Sequence, residues 1–470
     1  MKLPTLVMTN TIQKEVFEYL FPGDGLEAGG ILLCNQGSGK YTQRLIVTEF
    51  ISLPYELSDR KKDLLSWPVE RYLPPEKIAE IDKRGQSILT IHSHPKGYNY
   101  FSKIDDKNDK ELFRSINAWF DDDRITGSAI MLSDGTIVAR AVNYDGKFND
   151  FHSVSVIGDN IKVWKNQKHQ PQNAYEKKLT QTFGQDTLDK LRSLRVGVIG
   201  CSGTGSIIIE LLVRNCIGQL VLVDDDNLEE KNLNRIVNSS LADAKKGISK
   251  VKAISNAIQR NGLDTEVMIY QAQSNSPDAV TALIDCDIVF GCVDSALGRY
   301  HLDCLSNAYY LPLFDVGVHI DADGKGGINS ADAVAHYVQP EGCYLLSRGA
   351  YTMDQVNAEH WKSVDRKHYD NQRVAGYLAN VGEEQPAVIS VNMQAACMSF
   401  NDFLARLHSY RFDPDREYSS QRFRLVHGCY EVETDNGISN PIFLRYLGTG
   451  DQSLLVRNLI RAETPISKTV

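Results

Sequence analysis

The sharpest chemical signal in the sequence is a pair of histidines followed by an acidic residue. His92 and His94 flank Ser93 at the end of an apolar run, and Ser102 and Asp105 follow. Side chains at positions i and i+2 of a strand project to the same side, so both imidazoles can reach one metal ion. With Asp105 as the third ligand, the fourth position of a tetrahedral Zn²⁺ site stays open for water, as in catalytic zinc sites.

Such a water needs a carboxylate that accepts its proton, and Glu27 in the stretch LEAGGILL is the candidate. Bound zinc lowers the pKa of water towards about 7, and a nearby carboxylate can take the proton and later pass it to a leaving amine. A lone His-x-His pair is usually a surface or core accident. The serine and the two acids, in this order and spacing, favour metal binding instead.

Together, Glu27, the His-Ser-His-Pro stretch and the Ser-x-x-Asp stretch resemble the JAMM (MPN/JAB) metalloprotease family. Members of this family cut isopeptide bonds to ubiquitin-like proteins or trim their C-terminal tails. The resemblance implies zinc ligands at His92, His94 and Asp105, a general acid/base at Glu27, and a hydrogen-bond donor to the water or the tetrahedral intermediate at Ser102.

A second candidate site follows a later strand, where RVGVIGCSGTGSIIIELL places Gly200, Gly203 and Gly205 ahead of a helix. Glycines let the backbone approach a phosphate at a helix N-terminus, where free N–H groups and the helix dipole favour anions. Asp224 ends the next strand, where a carboxylate commonly accepts hydrogen bonds from a ribose. Alone, the pattern fits an NAD-dependent dehydrogenase as well as an ATP enzyme, and its spacing departs from the dinucleotide fingerprint.

Basic and polar residues beyond the glycines favour a triphosphate over nicotinamide. Asn232 and Arg235 follow the second strand, Lys250 comes later, and Asp294 ends a further strand. Arg and Lys can neutralise the charge that develops on a leaving pyrophosphate, and Asp294 can hold Mg²⁺. Nothing supplies a partner for hydride transfer, which leaves the dehydrogenase as a minor alternative.

This series resembles the ThiF/MoeB family and the adenylation domains of ubiquitin-activating enzymes, over about residues 175 to 410. The resemblance implies that the C-terminal glycine carboxylate of a ubiquitin-like protein attacks the α-phosphate of ATP, and that the protein is a homodimer through this domain. The resemblance also implies the role of each residue. Asp224 contacts the ribose, and the phosphates are contacted by Asn232, Arg235 and Lys250. Asp294 binds Mg²⁺ and lies near the acyl-adenylate.

Three features depart from the ThiF pattern. Lys178 stands where family members generally have an arginine that reaches the partner subunit's nucleotide, so this contact is expected to be weaker. The paired Cys-x-x-Cys zinc motifs of many relatives are absent, and no structural zinc is expected. Of the two cysteines placed to form a thioester, Cys304 lies in a helical pattern typical of the core, whereas Cys343 is loop-like. Cys343 is the candidate nucleophile, with a half-buried thiol as the alternative.

Two chemistries on one chain indicate one pathway. The combination resembles bacterial fusions of JAMM and ThiF-type domains that accompany ubiquitin-like modification, sulfur transfer or antiviral operons. We expect a bifunctional enzyme that processes or deconjugates a ubiquitin-like protein and adenylates its C-terminal glycine, with a conjugating enzyme as a further partner and antiviral defence as one setting. Two alternatives stay open: processing and activation of a sulfur-carrier protein for cofactor biosynthesis, and an inactive scaffold.

The elements around the first site predict an α+β JAMM/MPN domain over residues 1–160. Two strands are expected within 29–54 and a helix opened by Pro74. The strand SILTIHSH then carries the histidines, an amphipathic helix begins near Asp106, and a hairpin turns at residues 133–135.

The rest of the chain predicts a Rossmann-like, doubly wound domain of the ThiF type. Residues 161–174 are polar and predict a linker. Within 175–410, short apolar runs alternate with helical segments, which indicates a mostly parallel sheet, and one long helix is expected over 386–409. Residues 411–470 are expected to extend the adenylation domain with another strand pair.

Length and composition set wider limits. The 470 residues allow two to four domains of about 150 residues each. A net charge of -9 argues against the basic footprint of a nucleic-acid binder. No apolar run approaches the roughly 20 residues of a membrane span, and the N-terminal stretch lacks a signal-peptide core, so we expect a cytoplasmic protein without a membrane partner. The nine scattered cysteines predict neither a disulfide framework nor a four-cysteine zinc site.

Overall fold

The computed structural model describes residues 2–57, 59–61, 64–66, 73–165, 171–374, 386–437 and 439–463. The chain divides into two compact units. The first comprises Met1–Gln167 with Gly448–Ser453, and the second comprises Lys168–Leu447 with Leu454–Val470. Both units combine helices with a large sheet, and the predicted α/β fold class is confirmed.

One mixed sheet organises the first unit. In chain order its elements are β1 (Leu3–Thr9), α1 (Asn10–Leu20), β2 (Gly29–Ser38), β3 (Thr42–Ser52), β4 (Asp59–Lys61), β5 (Leu64–Ser66), α2 (Pro75–Lys83), β6 (Ser87–His94), α3 (Lys103–Asn117), β7 (Gly127–Leu132), β8 (Ile137–Val142), β9 (Phe148–Asp150), β10 (Ser153–Ile157) and β11 (Ile161–Lys165). The nine-stranded sheet has the order β11-β10-β1-β3-β2-β6-β7-β8-β9, and β4 pairs with β5 in a separate hairpin. The predicted strand pair, the strand with the histidines and the hairpin over β7 and β8 are all present.

Alternating residues of β2 build a core on each face of this sheet. Leu32 and Cys34 join the cluster that includes α1, whereas Ile31 and Leu33 join the cluster that includes α2 and α3. Full burial of one such aliphatic side chain contributes roughly 1.5–3 kcal/mol. The central strands β2 and β6 are therefore fixed from both sides, which gives the histidines at the end of β6 a rigid support.

The boundary of the first unit differs from the prediction. Residues 161–165, which were expected to begin the linker, form β11 and pair antiparallel with β10. Ile161 and Val163 are buried and Lys162 is exposed, but this alternation is too short to stand out in the sequence. Residues 166–170 of the predicted linker lie outside the described residues.

A second sheet, parallel in its first half, organises the second unit. Its elements are α4 (Lys177–Phe183), α5 (Gln185–Ser193), β12 (Arg195–Ile199), α6 (Gly203–Arg214), β13 (Gln219–Val223), α7 (Leu241–Lys246), α8 (Lys250–Asn261), β14 (Glu266–Tyr270), α9 (Pro277–Ile284), β15 (Ile288–Gly291), α10 (Ala296–Tyr309), β16 (Leu313–Ala322), β17 (Ile328–Val338), α11 (Met353–Val364), α12 (Arg366–Val374), α13 (Ile389–Leu407), β18 (Ser420–Arg424), β19 (Cys429–Glu433), α14 (Pro441–Arg445) and α15 (Leu454–Glu463). The strand order is β14-β13-β12-β15-β16-β17-β18-β19.

The strand order places the topological switch point beside β12. From β12 the chain proceeds to β13 and β14 on one side, and later to β15 and β16 on the other, with all five strands parallel. In open α/β sheets, ligands bind in the crevice at the carboxyl ends of the strands next to such a point. The glycine-rich segment directly after β12 therefore lies where this fold binds nucleotides.

The long helix α13 matches the predicted helix over 386–409 and packs against β16, β17 and α6. The ring of Phe403 on α13 lies edge-on to Phe290 of β15 and Phe314 of β16. The predicted C-terminal strand pair is β18 and β19. Strand β18 pairs antiparallel with β17, and β19 pairs antiparallel with β18 at the end of the sheet. Among the described residues, no helix combines the length and the apolar character that a membrane crossing requires.

The C-terminal region departs from the prediction in one segment. Gly448–Ser453 belongs to the first unit rather than extending the adenylation domain. Asn35 Nδ2 donates to the carbonyl of Gly448 at 2.9 Å, and the N–H of Ser38 donates to the Asp451 carboxylate at 2.9 Å. These bonds join residues far apart in sequence, so no local pattern could indicate them.

Candidate functional site

Three predicted metal ligands converge at the end of β6. Nε2 of His92 lies 3.1 Å from Nε2 of His94, and the Asp105 carboxylate oxygens lie 3.6 and 3.8 Å from these two nitrogens. Ligand atoms bonded at about 2.1 Å to one tetrahedral ion are about 3.4 Å apart. The nitrogen and oxygen donors therefore fit a single Zn²⁺ with one position left open.

Both histidines are held in a state that suits a metal ligand. Nδ1 of His94 lies 2.8 Å from the carbonyl oxygen of Tyr98. An imidazole that donates from Nδ1 to a carbonyl presents the lone pair of Nε2 to an ion. Burial is the main cause that lowers the pKa of His92 to about 4, although Asp105 opposes it. His92 is therefore neutral at pH 7, which metal binding requires.

The first turn of α3 positions the third ligand. Oγ of Ser102 accepts the N–H of Asp105 at 3.2 Å, and Oδ2 of Asp105 accepts the N–H of Ser102 at 2.6 Å. This reciprocal capping box starts the helix at Lys103, three residues before the predicted start near Asp106. The Ser102 hydroxyl uses a lone pair for this bond, and its hydrogen remains available for the predicted donor role.

Glu27 precedes β2 beside the strand that carries the histidines. The N–H of Ser93 donates to the carbonyl of Ala28 at 2.9 Å, and the N–H of Ala28 donates to Oγ of Ser93 at 3.0 Å. Continued by two residues, the antiparallel register of β2 and β6 sets Glu27 opposite His94. Directly opposite residues share one face, so the buried Glu27 belongs to the side that holds the metal ligands.

Arg140 on β8 anchors α3, a role that the sequence did not predict. Its guanidinium donates to Asp109 at 2.7 Å and to Asp106 at 2.5 Å, and it lies 3.8 Å from the ring centroids of both Phe101 and Phe148. These contacts tie the start of α3, and with it the predicted metal ligand of the first turn, to the sheet. A signal was present, because Asp109 interrupts the apolar face of α3 and therefore needs a buried partner.

The predicted nucleotide site begins at the carboxyl end of β12. Gly200 has a φ of +86°, and a Cβ there would lie 2.4 Å from the carbonyl oxygen of Cys292, so no side chain fits. Gly203 and Gly205 lie in the first turn of α6, whose N-cap residue Ser202 makes no side-chain bond to the helix. The N–H groups of this turn are therefore not capped by that side chain, which suits an anion such as phosphate.

Asp224 is buried after β13 and bonded to the glycine-rich segment. Its carboxylate accepts the N–H of Cys201 at 2.6 Å and that of Asp226 at 3.0 Å, and Nζ of Lys250 lies 3.6 Å away. Burial is the main cause that raises the pKa of Asp224. Burial also lowers the pKa of Lys250, but Asp224, Asp226 and Asp294 together raise it above its usual value. Lys250 is therefore a cation in a mostly acidic surrounding.

The remaining predicted phosphate and metal residues differ in how they are held. Asn232 is buried, and its Oδ1 accepts the N–H of Glu229 at 3.0 Å, so its side chain also closes a short turn. If Gly203 carried a Cβ atom, that atom would lie 3.5 Å from Cδ of Arg235. This arginine therefore lies at the start of α6. Asp294 is exposed beyond the end of β15.

Asn392 on α13 also contributes to the nucleotide site, although the sequence did not predict it. It is buried, and its Nδ2 lies 2.2 Å from the position that a Cβ on Gly203 would occupy. Its amide therefore packs on the glycine-rich segment itself. No motif includes it, because α13 lies far along the chain and reaches the segment only through the packing of α13 on α6.

Cys343 borders a polar cavity of about 520 Å³ in the second unit. Its Sγ donates to Oδ1 of Asn436 at 2.9 Å, and its N–H donates to Asp435 at 3.0 Å. Buried Arg348 lines the same cavity and lies 3.2 Å from the Asp435 carboxylate. Cys343 is only 7% exposed, so a reacting group would have to approach through the cavity. Cys304 is buried within α10, and burial raises the pKa of its thiol, as expected for a core residue.

Comparisons with known proteins confirm both family resemblances. The sequence model of the ThiF family matches residues 175–411, half of the chain, and that of prokaryotic homologs of the JAB domain matches residues 12–142. The ubiquitin-like modifier-activating enzyme 5 of Bombyx mori is 28% identical over 145 residues, which cover 28% of this chain and 36% of that protein. An adenylyltransferase and sulfurtransferase of Eremothecium gossypii is 31% identical over 121 residues, covering 26% of this chain and 27% of that protein.

The chain thus spans about a third of the length of these curated relatives. Among solved structures, E. coli MccB with a MccA derivative is 17% identical with a TM-score of 0.44, covering 56% of this chain and 72% of that chain. Because the ThiF model matches half of the chain, the protein belongs to the ThiF family, and a domain of the prokaryotic JAB type precedes its ThiF domain.

Proposed function

We propose that the protein is a bifunctional enzyme that processes or deconjugates a ubiquitin-like protein by zinc-dependent hydrolysis and activates its C-terminal glycine by adenylation. One observation carries this proposal. A single chain holds a convergent His-His-Asp donor set in a JAB-type domain and a glycine-rich segment with a buried Asp-Lys pair in a ThiF domain. Sites for removing and for activating the same tail suit one pathway.

In the first unit, the chain's own residues would bind the ion and move the proton. His92, His94 and Asp105 would hold Zn²⁺, which when bound supplies a Lewis acid and lowers the pKa of a coordinated water. Glu27 would accept a proton from the water and pass it to the leaving amine. The bond that breaks is the isopeptide or peptide bond after a C-terminal glycine. Ser102 would donate a hydrogen bond to the oxygen that gains charge.

Metal analysis tests this half of the proposal. We expect one zinc per chain in the purified protein, and loss of that zinc in His94→Ala but not in His427→Ala, a change of an exposed histidine. Glu27→Ala should keep the zinc and lose hydrolysis of a ubiquitin-like protein with a C-terminal extension. A protein that binds no zinc, or a fully active Glu27→Ala variant, would contradict the assignment.

In the second unit, the proposed reaction joins a carboxylate to the α-phosphate of ATP. One carboxylate oxygen forms a bond to the α-phosphorus, the bond to the bridging oxygen breaks, and pyrophosphate leaves. Lys250 and Arg235 would stabilise the charge on the phosphates, with Asn232 beside them, and Asp224 would accept hydrogen bonds from the ribose. Asp294 would hold Mg²⁺, which supplies charge neutralisation when bound.

Exchange of pyrophosphate into ATP tests this step, and it should depend on a protein with a Gly-Gly tail. Lys250→Ala should weaken ATP binding and exchange at least about tenfold, since a charge-assisted hydrogen bond contributes roughly 1.5–3 kcal/mol. Lys252→Ala is the matched control, because Lys252 is exposed on the same helix. Asp294→Ala should abolish exchange. No exchange with any Gly-Gly tail would count against activation.

The fate of the adenylate separates two versions of the proposal. Transfer to Cys343 and then to a conjugating enzyme would make the protein an activating enzyme for modification, and mass spectrometry of trapped adducts on Cys343 tests this. The relative named as an adenylyltransferase and sulfurtransferase supports the second version, in which a sulfur-carrier protein receives sulfur at its C-terminus. A thiocarboxylate formed with a sulfurtransferase would favour that version. If the protein neither binds zinc nor exchanges pyrophosphate into ATP, the inactive scaffold would be the remaining interpretation.

Assembly and setting belong to the proposal as well. The ThiF family supports a homodimer, although exposed Lys178 stands in place of the usual arginine, and light scattering of the purified protein measures the mass. The match to prokaryotic JAB homologs supports a bacterial pathway, with antiviral operons as one setting. A neighbouring gene for a conjugating enzyme would support modification.

A further inference from the structure

Arg60 on β4 holds the backbone that carries Glu27. Nε of Arg60 donates to the carbonyl oxygen of Glu27 at 2.8 Å, and Nη2 lies 3.4 Å from the carbonyl oxygen of Leu26. The two Nη atoms also form a fork on the Asp24 carboxylate, at 2.9 and 3.1 Å. One guanidinium therefore contacts three residues of the segment that leads into β2.

A column of aromatic rings fixes Arg60 in this position. The guanidinium carbon lies 4.2 Å from the ring centroid of Tyr55, and Tyr55 stacks on Tyr19 with centroids 4.8 Å apart and an interplanar angle of 21°. The Tyr55 hydroxyl donates to the carbonyl of Tyr19 at 2.5 Å. Only 10% of the Arg60 side chain is exposed. The contact with Glu27 is thus supported by packing, unlike a typical surface ion pair.

Two glycines make the backbone of the segment before Glu27 permissive. Gly23 and Gly25 both have positive φ angles, and nothing lies within 4 Å of where their Cβ atoms would stand. On the far side of Glu27, the bonds between Ala28 and Ser93 fix the chain to β6. Arg60 supplies the corresponding fixed point on the near side, so Glu27 is held between two anchors.

We propose that Arg60 is a positioning residue for the hydrolytic reaction, which sets where the Glu27 carboxylate stands relative to the metal ligands. This inference rests on the proposed function of the first unit. The metal ligands come from β6 and α3, whereas Glu27 comes from a separate segment, so its placement depends on contacts that the ligands do not share. A displacement of about 1 Å at a catalytic group can cost about 100-fold in rate.

Kinetics of the zinc-loaded, full-length protein test this inference, with a peptide ending in Gly-Gly-aminomethylcoumarin as the probe. Arg60→Ala should lower kcat by roughly 10- to 100-fold, with KM and zinc content unchanged. Arg60→Lys should give an intermediate rate, because lysine keeps the charge beside Asp24 but cannot form the fork. The control is Arg84→Ala, an exposed arginine of the same unit, which should match the wild type.

Two further measurements separate positioning from a general structural role. In a Glu27→Gln background, Arg60→Ala should lower the residual rate no further, because its effect passes through Glu27. Hydrogen exchange, which needs no catalysis, should show a faster amide at Leu26, whose N–H donates to Asp24 at 3.0 Å, with unchanged amides in β7. Three results for Arg60→Ala would each overturn the inference: a kcat equal to that of the wild type, a loss of zinc, or hydrogen exchange at the Leu26 amide that is no faster than in the wild type. Absence of hydrolysis in the wild type would instead count against the proposed function. Hydrogen exchange at Leu26 would then decide by itself whether Arg60 holds the segment that leads into β2.

Discussion

Ser102 and Asp105 cap each other across the first turn of α3, each side chain accepting the other's backbone N–H. The Ser-x-x-Asp spacing of the candidate metal site is therefore also the spacing of a capping box. Local helix formation and ligand placement depend on the same two side chains. The capping bond restricts the orientation of the Asp105 carboxylate, which would lower the entropy that a bound ion must overcome.

Substitutions of Ser102 should separate its two roles. Ser102→Ala loses the cap and the hydroxyl, so we expect a loss of about 1 kcal/mol in unfolding free energy and a lower hydrolysis rate. Ser102→Asp keeps a capping oxygen but has no hydroxyl, so its stability should stay near that of the wild type while hydrolysis falls. Ser102→Thr should keep both. Urea denaturation and the hydrolysis rate measure the two effects, and a fully active Ser102→Asp variant would contradict the donor role.

Parts of the molecule whose signals are local could be predicted from the sequence. The strand β6, the glycine-rich segment after β12 and the long helix α13 each follow from a short pattern of apolar, glycine or helical residues. The convergence of His92, His94 and Asp105 also follows, since two ligands share a strand and the third begins the next helix. The predicted helix start was wrong by three residues, because Ser102 of the motif is also the N-cap and begins α3 at Lys103.

Residues that support the sites from a distance could not be predicted in the same way. Arg140, Arg60 and Asn392 each act from an element remote in sequence, and each contact arises only when strands and helices pack. Hydrophobic periodicity defines which face of an element is buried but not which residue of another element it meets. The anchors of the predicted catalytic groups are therefore tertiary features.

Arg140 should be required for the stability of the first unit. Arg140→Met leaves the buried carboxylate of Asp109 without its charged partner, and breaking a buried pair in this way costs about 3–5 kcal/mol. Arg114→Met changes an exposed arginine on α3 and should shift the unfolding free energy by less than about 0.5 kcal/mol. Guanidinium denaturation measures both. Equal stabilities of the two variants would show that Arg140 is not a required anchor.

The pH dependence of this variant follows from Asp109. Burial is the main cause that raises the pKa of Asp109, and Arg140 lowers it, so the pKa should rise further in Arg140→Met. A carboxyl group whose pKa is higher in the folded state than in the unfolded state lowers the unfolding free energy at any pH above its unfolded pKa of about 3.9. This loss becomes smaller as the pH falls towards that value. Arg140→Met should therefore regain part of its lost unfolding free energy when the pH is lowered from 7 to 5, and guanidinium denaturation at both pH values measures this.

Gly203 and Asn392 should be coupled at the nucleotide site. In Gly203→Ala the new Cβ would lie 2.2 Å from Nδ2 of Asn392, so we expect a loss of roughly 1–3 kcal/mol in stability and weaker ATP binding. Asn392→Ala removes the clashing amide, so the double variant should be more stable than the sum of the single effects predicts. Calorimetric titration with ATP and thermal unfolding test this, and simple additivity would rule out the contact.

Asp303 should make the stability of the second unit depend on pH. Its buried carboxylate accepts the hydroxyl of Tyr351 at 2.8 Å and the N–H groups of Leu345 and Leu346 at 3.2 and 3.1 Å, in the loop that follows Cys343. Burial is the main cause that raises its pKa to about 7. Because the unfolded pKa is about 3.9, the folded state binds more protons between these values, and stability falls as the pH rises through this range and levels off above it.

Replacement of Asp303 by asparagine should remove this slope. Asp303→Asn cannot ionise, so its stability should change less than that of the wild type between pH 5 and pH 8, even though the amide loses one of the backbone bonds and lowers stability overall. Asp278→Asn, a change of an exposed acid on α9, should retain the wild-type slope. Urea denaturation at several pH values compares the three proteins, and parallel curves for the wild type and Asp303→Asn would show that Asp303 does not titrate in this range.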